Sequence, residues 1–361
     1  MNKKLLTLAV GAALAGGTAL AQAEATVYGH FHVSIDSLDN GGTDTATTKA
    51  SSLYVSDNSS RFGVKGSEDL GGGLKALFQV ENAFRSDGTG TGALGNATTS
   101  SGSIASRNTY AGLAGDFGAV LVGRHDTPMK IVGRAVDLFN EQVGDARNVT
   151  NNDGVEDLRV NNVIAYASPS MSGLSILAAY LPEEGYKDGS STSFNVTYTA
   201  GPLCVGFANE ILGKGLTGSA DAQSGSRLAA KYTAGDLTVA ALVQSFNNVV
   251  GVKDVKNKAV GVGAAFKAGN NSFKVQYYSL PETVSGANDG GNLTALGVDH
   301  TFSKNTTGYI AYASASNDPN GTVPAAVGAA AVGTTGTGHG EGSVTAGKDG
   351  TALSVGLIVN F

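Results

Sequence analysis

The stretch Thr351–Phe361, TALSVGLIVNF, constrains the fold more than any other part of the chain. Leu353, Val355, Leu357, Val359 and Phe361 fall on one parity; Ala352, Ser354, Gly356, Ile358 and Asn360 fall on the other. A period of two belongs to a β-strand, whose successive side chains point to opposite faces. Terminal residues usually fray into water and are polar. Here the oily face runs to an aromatic ring, so something apolar has to cover it.

The alternation recurs along the chain. Val27, Phe31, Val33 and Ile35 oppose Tyr28, His30, His32, Ser34 and Asp36. Phe62 and Val64 oppose Arg61 and Lys65, and Phe273, Val275 and Tyr277 oppose Lys274, Gln276 and Tyr278. The pattern predicts sixteen strands, from 26–37 and 53–67 to 306–316 and 350–361. Many have about the ten residues that a tilted strand needs to cross a bilayer. Short turns such as Gly201-Pro202, Gly235-Asp236 and Gly269-Asn270-Asn271 alternate with long connections at 38–52, 86–104, 126–158 and 317–349. An antiparallel up-and-down barrel puts all short connections at one end and all long ones at the other. A soluble sandwich has Greek-key crossovers and no reason for that alternation. The fold class expected is therefore all-β, a sixteen-stranded transmembrane barrel. Its last strand closes on the first near Thr26, lipid covers the oily face, and Phe361 lies at the membrane interface.

Composition agrees. With 52 glycines, 7 prolines and no tryptophan the chain disfavours long helices, and no run of eighteen apolar residues marks a helical span. Residues 1–23 read as a secretory signal peptide: Lys3 and Lys4, an apolar stretch from Leu5 to Leu20, then Ala21-Gln22-Ala23. Its removal leaves a barrel domain at 24–361. Two lysines and no acids go with it, so the formal charge moves from −6 to −8. Cys204 is the only cysteine, which excludes an internal disulfide.

The segments ATVYGHFHVSID, SSRFGVKGSEDLGGGLKALFQVENAF, SRNTYAGLAGDFGAVLVGRHDTP and NNVIAYASPSMSGLSILAAY, with the terminal Phe361, resemble the trimeric general porins of Gram-negative outer membranes. The resemblance spans the whole mature chain. It implies that the third long loop, 126–158, folds inward and narrows the pore, with arginines on the wall opposing acids on the loop. Arg61, Arg107 and Arg159 match the wall positions, and Lys65 shares the inward parity of Arg61. On the loop, Asp137, Glu141 and Asp145 are the candidate acids, close together if the loop contains a helical turn. A guanidinium stays charged at any ordinary pH. Such a ring sets a field across the pore that orients dipolar solutes and turns away greasy ones. The resemblance also implies a homotrimer and recognition of the terminal aromatic strand, through Phe361, by the outer-membrane assembly machinery.

Other signals are weaker. His30 and His32 have the spacing of a strand-borne metal pair, but with Asp36 as the only obvious further ligand they read as wall residues. GTGALG at 90–95 matches a dinucleotide fingerprint by letters alone. DGVEDL at 153–158 is acidic but lacks the ligand spacing of a calcium loop. Neither a nucleophile elbow nor a Ser–His pair emerges, and the apolar stretch Val323–Gly333 has no evident role. The expectation is a non-enzymatic outer-membrane diffusion channel for ions and small hydrophilic solutes. It needs no cofactor or metal, and its partners are the bilayer and copies of itself rather than nucleic acid. The alternatives are a loop-displaying adhesin or receptor, and a substrate-specific channel.

Overall fold

The computed structural model describes residues 24–45, 49–86, 105–185, 187–214, 221–325 and 344–361. Residues 1–23, and with them the expected signal peptide, lie outside these, as does GTGALG. The strands are β1 Glu24–Asp39, β2 Ser51–Asp57, β3 Arg61–Gly71, β4 Leu74–Ala83, β5 Thr109–Gly115, β6 Gly118–Asp126, β7 Arg159–Ala167 and β8 Leu174–Leu181. They continue as β9 Ser191–Ala200, β10 Leu203–Leu212, β11 Gln223–Ala234, β12 Leu237–Asn247, β13 Lys256–Ala268, β14 Asn271–Leu280, β15 Gly291–Ser303, β16 Thr306–Asn317 and β17 Gly350–Asn360. Two short helices, α1 Pro128–Arg134 and α2 Arg147–Thr150, lie between β6 and β7. Among the described residues no helix is long and apolar enough to cross a membrane.

Each strand from β3 onward pairs antiparallel with the next, and β17 returns to β1 in a register that sets Asn360 opposite His30 and Thr351 opposite Asp39. Sixteen strands thereby close a barrel; the seventeenth, β2, pairs with β1 alone. The single strand expected over 53–67 is two. β2 and β3 follow one another along β1, and the break falls at 58–60. Asp57-Asn58-Ser59-Ser60 is a run of turn formers. Asp57 Oδ1 accepts from the Ser60 N–H at 3.0 Å, Ser59 takes a φ of 66°, and Asn58 N–H donates to the His32 carbonyl at 2.8 Å.

The parity separates outside from inside as the alternation requires. Val27 and Leu53 are 65% and 73% exposed on the outer face, and Phe361, Leu357, Val355 and Leu353 are exposed together along the closing strand. His32, Ser34, Asp36, Glu81, Glu210, Arg227, Gln276 and Ser354 are buried on the inner one. Outward aromatics Phe117, Tyr198, Tyr232, Phe266 and Phe302 sit beside the short turns, in the manner of an interfacial girdle. The Phe361 ring covers Gly29, where a Cβ would meet ring carbons at 2.1 Å, and the two residues exchange backbone hydrogen bonds of 2.9 and 3.1 Å. At the short-turn end Gly201, Gly235 and Gly269 take φ of 54–60°, the left-handed conformation that two-residue hairpins demand.

Segment 127–158 lies against the inward parity. Met129, Val132, Phe139, Val143 and Val149 form one apolar cluster with Ala208, Ala229, Ala240, Ala295, Ala311 and Ala313 of β10–β16. The wall is small there so that the segment can approach: Cβ atoms added at Gly297 and Gly263 of the wall would meet Phe139 and Leu138 at 2.8 Å, and one added at Gly144 of the segment would meet Ala295 at 2.4 Å. The first part of the unexplained apolar stretch packs here too. Val323 and Ala325 are buried, the Ala325 carbonyl accepts from Gly144 N–H at 2.9 Å, and the Pro324 carbonyl accepts from Asn148 Nδ2 at 2.8 Å. Its remainder, 326–333, lies outside the described residues.

Candidate functional site

Opposite the small-residue seat, the inward faces of β1 and β3–β7 carry charge. Arg61 heads β3, and its Nη1 donates to Glu141 Oε1 and Oε2 at 3.0 and 2.9 Å. Arg134, in the last turn of α1, reaches the same carboxylate from the segment side, Nη2 to Oε1 at 3.0 Å. His30 Nε2 lies 3.3 Å from Glu141 Oε2. The backbone delivers Glu141 in a left-handed conformation, φ 64°, with its N–H held by Asp145 Oδ2 at 2.8 Å. Burial alone would raise the Glu141 carboxyl, but the His30 hydrogen bond and the Arg61 and Arg134 charges outweigh it and hold the group well below its usual range.

Arg107 precedes β5 and pairs through Nε with Glu81 Oε1 at 2.7 Å. Arg159, the first residue of β7, pairs with Asp126 at 3.0 Å, and Asn108 buttresses both. Lys130 of α1 shares Asp126 at 3.2 Å. Burial lowers the Lys130 ammonium to about 8, against the pull of Asp126. This patch thus carries five cations, Arg61, Arg107, Lys130, Arg134 and Arg159, against the carboxylates of Glu81, Asp126 and Glu141. Arg61 and Arg134 keep the most accessible side chains, 18% and 23% exposed.

The other expected residues are placed differently. Lys65 is exposed and sits 5.1 Å over the Tyr28 ring, away from the segment's acids. Asp137 and Asp145 are turned into the segment. Asp137 accepts from Phe139 and Ala146 N–H and from Gln276 Nε2, while Asp145 holds Glu141 N–H and Arg147. Burial, and then the Asp145 charge, push the Asp137 carboxyl up to about 8. Asp145 lies beside each of the other two, holding the Glu141 N–H and acting on Asp137, and turns rather than a helix carry all three: α1 and α2 flank the run 135–146. Glu141 contacts the wall arginine Arg61.

Arg134, Lys130 and the anchor on the far side follow from no spacing in the sequence. There Arg227, fully buried on β11, donates through Nη1 to Asp157 Oδ1 at 2.5 Å and to the Met129 carbonyl at 3.1 Å. Its Nε reaches Gln244 at 2.9 Å, and Gln244 donates to the Thr150 carbonyl at 2.9 Å. The acidic run 153–158 is spent in the same way. Asp153 accepts from Asn257, Asp157 from Arg227, and Glu156 is buried, its carboxyl raised first by burial and then by Asp153.

A closed transmembrane barrel with an oily outer face and a charged inner patch defines a β-barrel membrane channel. The signature of the Gram-negative porins matches residues 7–320, and the chain belongs to that family. It forms an outer-membrane diffusion channel of a Gram-negative bacterium. Outer membrane porin protein 32 of Delftia acidovorans is 31% identical, over 99% of both chains. Major outer membrane protein P.IB of Neisseria gonorrhoeae is 26% identical over 86% of this chain and 92% of its own. Among solved structures, an anion-selective porin from Comamonas acidovorans superposes with a TM-score of 0.77 at 26% identity, covering 94% of this chain and all of that one.

Proposed function

We propose that the channel prefers anions and that its narrowest passage runs between segment 127–158 and the wall bearing Arg61, Arg107 and Arg159. The observation that carries this reading is the surplus of five cations over three carboxylates in that patch, with Arg61 and Arg134 the most accessible. A fixed positive surplus in a narrow aqueous passage raises the local anion concentration and repels cations. The anion selectivity of the Comamonas porin supports the same reading. Glu141 then tempers the field, while Asp137 and Asp145 shape the segment without facing the stream. Lys65 lies outside the narrowest part.

We further infer that residues 1–23 are removed on export and that the mature chain acts by passage of solutes rather than by chemical conversion. It assembles as a homotrimer, and Phe361 is its mark for the assembly machinery. The deciding experiment is the reversal potential of reconstituted channels in a potassium chloride gradient. Chloride preference is expected; potassium preference overturns the reading. Native mass measurement in mild detergent tests the trimer, and monomers alone would count against it.

A further inference from the structure

We propose that His30, His32 and Glu141 form a binding site for a divalent transition-metal cation of the zinc type. His30 and His32 occupy alternate positions of β1 and so share its inner face, and Glu141 meets them from segment 127–158. One ligand atom from each residue can be chosen so that all three lie within 4.8 Å of one another. At zinc–nitrogen and zinc–oxygen distances of about 2.0–2.1 Å, the edge of a tetrahedral site is about 3.3 Å. His30 Nε2 and Glu141 Oε2 are already 3.3 Å apart.

The surroundings orient the donors. His30 Nδ1 contacts Asn360 Oδ1 at 2.8 Å, which directs Nε2 toward Glu141. His32 Nε2 contacts Tyr309 Oη at 3.0 Å, and Tyr309 stands edge-on to the imidazole. Outer contacts of this kind fix ring orientation in metal sites. In the sequence Asp36 is the only obvious further ligand and the two histidines read as wall residues; Asp36 is engaged by Ser34 and Ser354. The third ligand comes from more than a hundred residues away.

Two imidazoles and one carboxylate suit zinc, copper or nickel better than calcium or magnesium, which favour all-oxygen sites. Arg61 and Arg134 bind the same carboxylate, so affinity falls below that of a closed structural site. The cation would bridge β1 and the segment on the side away from the Arg227 anchor, beside the basic patch.

Calorimetric titration of the tag-free protein in detergent with zinc chloride tests the proposal. One saturable zinc site per chain is expected, weakened more than about ten-fold by His30→Gln or by His32→Gln and unchanged by His300→Gln. Unaltered heat-modifiable mobility without zinc confirms that each variant folds. Should a variant not fold, X-ray absorption of the zinc-loaded wild type decides, because the site requires two imidazoles in the zinc shell. No saturable binding, equal binding by folded His30→Gln and His32→Gln, or an oxygen-only shell overturns the proposal.

Discussion

Arg227→Ala tests what holds segment 127–158 in place. The guanidinium and the Asp157 carboxylate have side chains 0% and 1% exposed. Removing one partner of such a pair leaves a buried charge uncompensated, at a cost of about 3–5 kcal/mol. The Met129 carbonyl loses its Arg227 donor and Gln244 Oε1 loses both of its guanidinium contacts. The β11 ladders are made by backbone, so the barrel survives and the cost falls on docking of the segment. At about 1.4 kcal/mol per factor of ten, the docked population loses about two to three and a half orders of magnitude relative to the undocked one. Single-channel recording should show a larger and noisier conductance, with heat-modifiable mobility retained. Asp157→Asn in the same chain should restore part of the quiet level by removing the stranded charge. A quiet channel of unchanged amplitude would refute the reasoning, and so would loss of the barrel itself.

Glu141→Gln deletes the carboxylate that tempers Arg61 and Arg134, so chloride preference should rise; a shift toward potassium in the reversal potential would count against this assignment. Asp137 is raised from an ordinary 3.8 to about 8, so the fold favours its protonated form. Its contribution is full below pH 3.8 and is lost as pH rises through about 8. The midpoint of thermal unfolding should fall over that window and flatten in Asp137→Asn, and a fall of the same size in the variant would contradict the assignment. Deleting Phe361 removes an interfacial ring worth about 1–3 kcal/mol. Assembled protein in cells should drop sharply while detergent-refolded barrels stay nearly as stable, a contrast read by gel mobility; normal assembly in cells would make the ring a lipid anchor only.

Much of this fold is legible because lipid outside and water inside impose one alternation on every strand. Val355 and Ser354, or Phe273 and Lys274, announce their faces individually. Turn chemistry at 57–60 is equally visible, and so is a change of phase: the outward apolar residues are odd-numbered at Leu53 and Val55 and even-numbered at Phe62 and Val64, so one unbroken strand cannot turn both pairs outward. The site is legible where a wall residue carries charge at the head of a strand, as Arg61 and Arg159 do. It is illegible on the segment, because spacing says nothing of which acid turns outward. Glu141 faces Arg61 owing to a left-handed backbone and an Asp145 cap, neither of which has a periodic signature. Ala229, Ala240, Ala295 and Ala311 did carry a signal. They are small residues on an inward parity that is polar elsewhere, and a chain segment has to fill the space they leave.

The ladder between β1 and β17 differs from the others in one respect. From β3 onward each strand pairs with its immediate successor, whereas His30 and Asn360 are 330 residues apart. Closing a loop costs about 0.6 kcal/mol for each doubling of its length, so this ladder costs about 3 kcal/mol more than a hairpin of about ten residues. Local hairpins therefore zip first and closure comes late, which makes the barrel a slow folder by contact order. Until that step the sheet has two open edges and an oily face, the conditions under which strands pair with other chains. The exported polypeptide thus passes through a vulnerable open state whose lifetime is set by a single register, the one that brings the Phe361 ring down onto Gly29.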